Sequence, residues 1–270
     1  MYLVFDIGGT NTKIGTSLDG KKLTNTQIIP TPPDFETGIN IIKQFSKDNI
    51  QAIAGGIAGN LDSEKSSLYK SPHLPGWVNK PLKQELENIF NTKVYLENDT
   101  ALVGLGEATQ GAGKDKNIVA YITISTGVGG VRIVDQKIDK NAQGFEVGHQ
   151  IILPNGSICD CGGKGHWETL VAGSYLERIY KKKAEQITDQ AVWDEVIKYI
   201  SIGLHNVIVS WSPDIVVLGG SIIKSISLEK VKSQVSNLLT IFPNSPEIVL
   251  ASLGDEGGLH GALRYLNTHF

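Results

Sequence analysis

The sequence predicts an α/β protein of two domains, and three observations support that fold class. Short apolar runs typical of buried strands alternate with longer segments whose apolar residues recur at helical spacing. Glycine-rich segments follow the ends of several of these strands, which is where α/β proteins place ligands. The chain of 270 residues is also long enough for two moderate domains, each with its own core.

The first half of the chain predicts a hairpin followed by alternating helices and strands. Residues 2–5 and 12–17 are strand-like, and Asp19-Gly20 is typical of a hairpin turn that leads into a strand at 23–29. In the helix predicted at 35–45, Phe35, Ile39 and Ile42 recur at helical spacing and form a core face. Similar patterns predict strands at 50–57 and 94–96, and helices at 81–90 and 101–108.

The second half continues this alternation. We predict strands at 118–124 and 131–134, a helix at 168–180, and a long helix at 191–209 whose apolar stripe indicates packing. Pro213-Asp214 interrupts the helical pattern. A buried strand at 215–218, a last strand at 247–251 and a final helix at 259–266 follow.

Composition and charge exclude several classes of protein. The net charge is −3 and no basic block is longer than Lys181 to Lys183, most simply a solvated helix face, so we expect no nucleic-acid partner. The N-terminus lacks the basic region of a signal peptide, and no apolar stretch approaches the roughly 20 residues of a membrane span. Two cysteines fit a reducing compartment. We therefore expect a cytoplasmic protein with no membrane partner.

The first glycine-rich segment, residues 6–13, has the composition of an anion-binding loop. Glycines that tolerate positive φ allow backbone N–H groups to converge on a phosphate, and nearby hydroxyl and ammonium groups add donors. Asp6 could hold Mg²⁺ through water, as phosphoryl-transfer sites require. The alternative is a plain glycine hairpin. The candidate phosphate-binding residues are Asp6, Gly8, Gly9, Thr10, Thr12 and Lys13.

Two further glycine segments suggest that a nucleotide is bound. Residues 125–130 repeat the order of strand, glycine turn and strand, and an internal duplication would let two such hairpins bind a polyphosphate from two sides. The buried strand at 215–218 ends at a glycine pair, against which a flat adenine and its ribose could lie. The candidate nucleotide-binding residues are Thr126, Gly127, Gly129, Gly219 and Gly220.

Asp99 follows a predicted strand in the segment Glu97-Asn98-Asp99-Thr100 and has two interpretations. It could be the N-cap of the next helix, because Asn, Asp and Thr favour that position. It could instead be a general base at the carboxyl end of a strand, where a carboxylate can accept a proton from a substrate hydroxyl as that hydroxyl attacks phosphorus.

Residues 144–168 contain both cysteines of the chain and two of its six histidines. Cys159 and Cys161 are too close together in sequence for an easy mutual disulfide, but their thiolates can point at a shared ion. His149 and His166 could complete the four N/S ligands of a structural zinc. The alternative is two inert buried cysteines and two surface histidines.

The motifs together resemble a known family. The segments DIGGTNTK, STGVGG and VVLGGSI, with END between the first two, resemble the actin-like ATPase fold of sugar kinases. The pattern Glu146-x-Gly148-His149 followed by Cys159-x-Cys161-Gly-x-x-Gly-His166-x-Glu168 looks like the zinc signature of the ROK family of sugar kinases and sugar-responsive repressors. The resemblance covers essentially the whole chain, including SPHLPGW and GDEGGLHGA.

This resemblance implies a two-domain actin-like ATPase (ribonuclease H-like) fold with a ligand cleft between the domains. Residues 1–97 plus 255–270 would form a smaller α/β domain with the first phosphate loop. Residues 98–254 would form a larger α/β domain with the zinc loop, the sugar ligands and the adenosine site. The activity implied is transfer of the γ-phosphoryl group of ATP to a hydroxyl, most simply the 6-hydroxyl, of a hexose or N-acetylhexosamine.

The resemblance also implies residue roles. Asp99 would be the catalytic base, and the two glycine loops with Mg²⁺ would bind the phosphates of ATP. Zinc would be structural, and His149 would use one ring nitrogen for zinc and the other for the sugar. A homodimer is expected by family likeness. The residues expected to bind sugar hydroxyls are Asn98, Glu146, His149 and Glu168.

Two departures from the family pattern bear on these roles. His166 stands where the family usually has cysteine, so the expected zinc site is His2Cys2, and Phe145 stands where it usually has glycine, in a position to reshape the sugar pocket. The alternative function is a non-catalytic sugar sensor or regulator. Repressors of the family carry a helix-turn-helix domain before the first glycine loop, and with Asp6 so near the start we expect none here.

Overall fold

The computed structural model describes residues 1–45 and 49–269, which form two compact units. Unit 1 consists of Met1–Lys114, Gln136–Gly144 and Ser252–Phe270, and unit 2 of Asp115–Asp135 and Phe145–Ala251. The first unit therefore extends past the boundary predicted at 97/98 and is not the smaller of the two. None of the helices in the described residues is long and apolar enough to cross a membrane.

Unit 1 is built on a five-stranded mixed sheet with the order β3-β2-β1-β4-β7. Strands β1 and β2 form the predicted antiparallel hairpin, while β1, β4 and β7 run parallel. A separate ribbon of β5 and β6 lies outside this sheet. The strands of this unit are β1 (Tyr2–Ile7), β2 (Asn11–Ser17), β3 (Asn25–Pro30), β4 (Ala52–Ile57), β5 (Asn60–Leu61), β6 (Leu68–Lys70), β7 (Lys93–Asn98) and, later in the chain, β10 (Lys137–Ile138).

Helices cover both faces of this sheet. The face of β1 that carries Leu3 and Phe5 packs against a cluster that includes α1, α2 and Trp77, whereas the opposite face, with Val4, packs against α3 and α8. This alternation along β1 explains why its apolar residues form a continuous run. The helices of unit 1 are α1 (Phe35–Phe45), α2 (Leu82–Phe90), α3 (Asp99–Thr109) and α8 (Gly257–Asn267).

Helices α3 and α8 approach each other unusually closely, and this contact explains where unit 1 ends. A Cβ added at Gly261 would lie 1.7 Å from the carbonyl oxygen of Leu102, and one at Gly106 would lie 2.4 Å from that of Gly257. Only glycine permits such an approach. Because α3 packs on α8 in this way, it belongs to unit 1 rather than to the domain predicted to start at residue 98.

Unit 2 repeats the core arrangement of unit 1. Its strands follow the order β9-β8-β11-β12, with β8 and β9 antiparallel and β8, β11 and β12 parallel, as β2-β1-β4-β7 are in unit 1. The elements of unit 2 are β8 (Ile118–Ile124), β9 (Val128–Val134), α4 (Glu168–Val171), α5 (Gly173–Tyr180), α6 (Gln190–Trp211), β11 (Ile215–Gly219), α7 (Leu228–Leu238) and β12 (Glu247–Leu250).

Two elements of unit 2 differ from the sequence-based expectation. The helix predicted at 168–180 is broken at Ala172, whose backbone is extended, because the N–H of Gly173 donates to the carbonyl of Ser125 at 2.7 Å instead of continuing the helix. Helix α7 was not predicted. Its buried residues are only Val231 and Val235, which is too weak a stripe to recognise in sequence.

Candidate active site

Three polar residues lie at the carboxyl edge of the sheet in unit 1. Strands β1, β4 and β7 are parallel and in register, so that Asp6 pairs with Gly56, and Ile57 pairs with Asn98 at the end of β7. Asp99 then begins α3. A Cβ added at Gly56 would lie 3.1 Å from Cα of Asp99 and 3.5 Å from Oδ1 of Asp6. The two acidic residues therefore flank Gly56 of β4.

The N-cap of α3 is Asn98 and not Asp99. The side-chain Oδ1 of Asn98 accepts a hydrogen bond from the N–H of Ala101 at 3.1 Å, while its Nδ2 donates to the carbonyl of Gly59 at 3.1 Å. The cap interpretation of Asp99 is therefore wrong, because Asn98 occupies the N-cap position of α3. Asn98 retains one N–H and one lone pair for a ligand.

The environment of Asp99 disfavours its charged form. Burial and the neighbouring negative charge of Asp6 raise the pKa of Asp99 to about 7, against the opposing effects of the N–H of Thr100 and the charge of Lys13. Burial also raises the pKa of Asp6, although Lys13 Nζ lies 3.2 Å from its Oδ2. Two close carboxyl groups with raised pKa values are a common property of catalytic sites.

The first glycine loop joins β1 to β2, but its glycines do not adopt the conformation predicted for them. Neither Gly8 nor Gly9 has positive φ. The loop needs glycine for space instead, since a Cβ added at Gly9 would lie 2.7 Å from Cβ of His73 and one at Gly8 would lie 3.0 Å from the carbonyl oxygen of Asn11. Gly9 and Thr10 are exposed at the tip of the loop.

Thr12, a predicted phosphate-binding residue, is buried and contributes to the shape of this loop. Only 3% of it is exposed, and its hydroxyl lies 3.0 Å from that of Thr31. The Thr31 hydroxyl in turn donates to the carbonyl of Gly8 at 2.7 Å, and its N–H donates to the carbonyl of Thr10 at 2.9 Å. Thr12 therefore fixes the loop rather than offering its hydroxyl at the tip.

The segment after β6 is a neighbour of this site for which the sequence predicted no role. Its Ser71 hydroxyl donates to the carbonyl of Ala58 at 2.8 Å, beside the Gly59 carbonyl that accepts from Asn98. The exposed His73 packs against Gly9 as described above. The only signal in the sequence was that this segment belongs to the family resemblance.

The second glycine loop, between β8 and β9, is held by the start of α5. The carbonyl of Thr126 accepts from both the N–H and the hydroxyl of Ser174, at 3.2 and 2.7 Å. Thr126 is exposed, and a Cβ added at Gly127 would lie 3.5 Å from Oε2 of Glu168. The loop is therefore immobilised through its carbonyl groups and lies beside a predicted sugar ligand.

The glycine pair after β11 lies beside the end of β8. A Cβ added at Gly219 would lie 2.4 Å from the hydroxyl of Tyr121, and Gly220 has a φ of +97°, which favours glycine. The hydroxyl of Ser221, which was not predicted as a site residue, lies 3.1 Å from that of Ser125. The end of β11 and the second glycine loop are thus adjacent, as a shared nucleotide site requires.

The predicted zinc ligands form one cluster in unit 2. The metal-binding atoms of His149, Cys159, Cys161 and His166 all lie within 4.8 Å of one another. Nδ1 of His149 lies 3.2 Å from Nδ1 of His166 and 3.8 Å from the Cys159 sulfur, and the Cys161 sulfur lies 3.4 Å from Nδ1 of His166.

These separations fit a tetrahedral zinc. Zn–N bonds of about 2.0–2.1 Å and Zn–S bonds of about 2.3 Å would place neighbouring ligand atoms roughly 3.3–3.8 Å apart. Gly162 and Gly165 both have positive φ, at +94° and +68°, a conformation that glycine adopts readily and that lets the backbone curl around the cluster. The residues present therefore fit a structural zinc of the His2Cys2 type.

The predicted sugar ligands of unit 2 surround this cluster. His149 directs Nδ1 to the cluster and Nε2 towards Glu146, whose Oε2 lies 3.6 Å away. Glu168 Oε1 accepts from the Cys159 thiol at 3.0 Å and lies 3.9 Å from Nδ1 of His149. The side chain of Glu146 is 50% exposed, that of His149 35% and that of Glu168 16%, so each is accessible to a ligand.

Phe145, the second departure from the family pattern, packs against α6. Its ring contacts that of Trp211 edge to face, with centroids 5.1 Å apart. This contact anchors the residue that precedes Glu146.

Comparisons with known proteins identify the family and the fold of the chain. The model of the ROK family matches residues 2–268. The chain is 29% identical over 265 residues to a glucokinase from Streptomyces coelicolor, covering 94% of this chain and 82% of the relative. It is 28% identical over 301 residues to an N-acetyl-D-glucosamine kinase from Vibrio atlanticus, covering 97% and 98%. A solved ROK hexokinase from Thermus thermophilus matches with a TM-score of 0.89 at 28% identity, covering 99% of each chain. The predicted actin-like ATPase fold is confirmed.

Proposed function

The chain belongs to the ROK family, and we propose that it is an ATP-dependent sugar kinase whose acceptor is a hexose or an N-acetylhexosamine. The observation that carries this proposal is the pair of Asp6 and Asp99 at the carboxyl edge of the sheet in unit 1, beside a glycine loop with an exposed tip. A carboxylate with a pKa near neutrality and a phosphate loop are what phosphoryl transfer to a hydroxyl needs.

In the proposed reaction Asp99 is the general base. Its ionised carboxylate accepts the proton of the acceptor hydroxyl, most simply the 6-hydroxyl, while that oxygen forms a bond to the γ-phosphorus of ATP and the bond from this phosphorus to the β,γ-bridging oxygen breaks. Two features support the role: the carboxylate is free of the helix cap, and its pKa of about 7 lets it both accept and release a proton at neutral pH.

The phosphates of ATP would be bound by backbone donors of both glycine loops. In unit 1 these are the N–H groups of the exposed residues Gly9 and Thr10, with Lys13 nearby, and in unit 2 those of the exposed Thr126 and the half-buried Gly127. Asp6 offers the carboxylate oxygen that Mg²⁺ prefers and would hold this ion through water. When bound, Mg²⁺ neutralises charge on the phosphate groups. Gly219 and Gly220 would border the adenosine.

The sugar would be bound through its hydroxyls by Asn98 of unit 1 and by Glu146, His149 and Glu168 of unit 2. The zinc proposed at the cluster has a structural role, because it would hold His149 with Nδ1 on the metal and leave Nε2 for the sugar. It would also fix the loop that precedes Glu168. We further propose that the protein acts as a homodimer.

A coupled ADP-release assay with Mg·ATP tests the function and the sugar together. The panel contains glucose, N-acetylglucosamine, N-acetylmannosamine, mannose and fructose, each measured before and after removal of zinc with a chelator. We expect turnover on one or two of these sugars and its loss on chelation. No turnover on any sugar, with sugar binding still visible by calorimetry, would contradict the kinase and favour a non-catalytic sugar sensor.

A further inference from the structure

The residue between the two cysteines is held by helix α5. The N–H of Asp160 donates to the hydroxyl of Tyr175 at 2.8 Å. Its carboxylate accepts two parallel hydrogen bonds from Arg178, at 2.8 Å from Nη1 and 2.7 Å from Nη2. Both the backbone and the side chain of Asp160 are therefore fixed by one helix.

Tyr175 connects this contact to the metal cluster. Its hydroxyl oxygen accepts from the N–H of Asp160, the residue that separates Cys159 from Cys161. The ring is buried, with 6% exposed, and the guanidinium of Arg178 lies over it at 4.8 Å from the centroid. One buried tyrosine thus holds the backbone between the two predicted cysteine ligands and packs against the arginine that holds the side chain of Asp160.

Other contacts also restrain this loop, including the hydrogen bond from the Cys159 thiol to Glu168 described above. Within the loop, the N–H of Cys159 donates to Gly163 and the N–H of Gly162 donates to Cys159, each at 2.8 Å, and Gly162 has the φ of +94° already noted. Cys161 is exposed. A short glycine-rich turn of this kind has many alternative conformations, so an external contact is needed to keep both sulfurs directed at one ion.

We propose that Asp160, Tyr175 and Arg178 are positioning residues for zinc, which hold Cys159 and Cys161 in the geometry that binds the metal. They are neither ligands nor sugar-binding residues. An exposed ion pair alone stabilises a fold little, but a bidentate Arg–carboxylate contact fixes orientation, and groups that orient metal ligands commonly change affinity about 10- to 100-fold when removed. This inference rests on the zinc site of the proposed function.

The test is the affinity for zinc of the full-length variants Tyr175→Phe, Arg178→Gln and Asp160→Asn, measured by competition with a chromophoric chelator. We expect each variant to bind zinc about 10- to 100-fold more weakly than the wild type, with a Tm of the zinc-free protein that is unchanged. The control is Lys230→Gln, which breaks an ion pair of similar length and exposure, Lys230 to Asp194 at 2.8 Å, on other helices.

Cobalt substitution gives a second readout that a purely structural role would not change. Removal of the hydroxyl in Tyr175→Phe is expected to shift the thiolate-to-cobalt charge-transfer band, whereas Lys230→Gln should leave it in place. Zinc affinities of all three variants within twofold of the wild type would overturn the inference. If the wild type itself binds no zinc, the proposed metal fails as well, so wild-type zinc content separates the two failures.

Discussion

Replacing Asp99 by Asn should inactivate the enzyme and stabilise the protein. The amide has nearly the same shape as a protonated carboxyl group, so it can occupy the site without a charge. As general base, Asp99 would supply about 10²- to 10⁴-fold of the rate, and we expect turnover to fall by this factor while sugar binding is retained. An ionised carboxylate in an unfavourable environment destabilises the folded protein, so its replacement by a neutral amide should stabilise it.

The size of the stabilisation follows from the pKa of Asp99. Its pKa rises from 3.8 to about 7 in the folded protein, and each pKa unit corresponds to about 1.4 kcal/mol. The folded state thus binds a proton more tightly than the unfolded state, so ionised Asp99 opposes folding by up to about 4 kcal/mol above pH 7 and by nothing below pH 4. The stability advantage of Asp99→Asn should grow as the pH rises through this window.

Thermal unfolding of the nucleotide-free protein at pH 5 and pH 8 measures the effect. We expect Asp99→Asn to exceed the wild type at pH 8 by at least about 5 °C in Tm, and by much less at pH 5. Asp62→Asn is the matched control, for which the expected change in stability has the opposite sign. Burial raises the pKa of Asp62, but hydrogen bonds from Ser67 and Ser66 outweigh it and lower that pKa. That variant should lose stability at pH 8.

Equal Tm values for Asp99→Asn and the wild type at pH 8 would refute the unfavourable environment of Asp99. Retention of wild-type turnover by the variant would refute its role as base, whatever its stability.

Three other outcomes follow from the same geometry. At saturating ATP, kcat/KM for the sugar should rise about tenfold per pH unit below pH 7 and level off above it, since only ionised Asp99 accepts a proton. Gly258→Ala should lower kcat at least about tenfold, because the added Cβ would lie 2.4 Å from Oδ2 of Asp6, whereas Gly257→Ala, with its nearest contact at 3.2 Å, should cost less. By metal analysis, His166→Cys should retain zinc and His166→Ala should lose it, because thiolate is a good zinc ligand and alanine is none.

The sequence predicted most of the fold because hydrophobic periodicity reports burial. It placed β8 at its observed bounds and found the long helix α6 from an apolar stripe with a real packing partner. It did not find the break at Ala172, since a hydrogen bond from Gly173 to Ser125 joins residues far apart in sequence. The extent of unit 1 was missed for the same reason, because it depends on glycines of α3 and α8 that meet only in the folded protein.

The candidate site shows a similar division. The four zinc ligands were named from spacing, and the structure brings them together. The choice between Asn98 and Asp99 as helix cap was not available from the sequence, because both residue types favour that position. Glycine in the first glycine loop was interpreted as needed for positive φ, whereas the structure requires it for space beside His73.

In unit 1, the hydrogen bonds of the acidic side chains distinguish a structural carboxylate from the proposed catalytic ones better than burial does. Glu107 is 1% exposed, and its carboxylate accepts from the N–H groups of Ala112, Ser252 and Leu253 and from the Ser252 hydroxyl. Its acceptor capacity is filled by the fold, so it anchors the chain that leads into α8. The carboxylate of Asp6 forms an ion pair with Lys13. The carboxylate of Asp99 interacts with backbone N–H groups at the start of its own helix. Their remaining lone pairs are the ones open to Mg²⁺ and to a sugar hydroxyl, which is why the proposed chemistry belongs to them and not to Glu107.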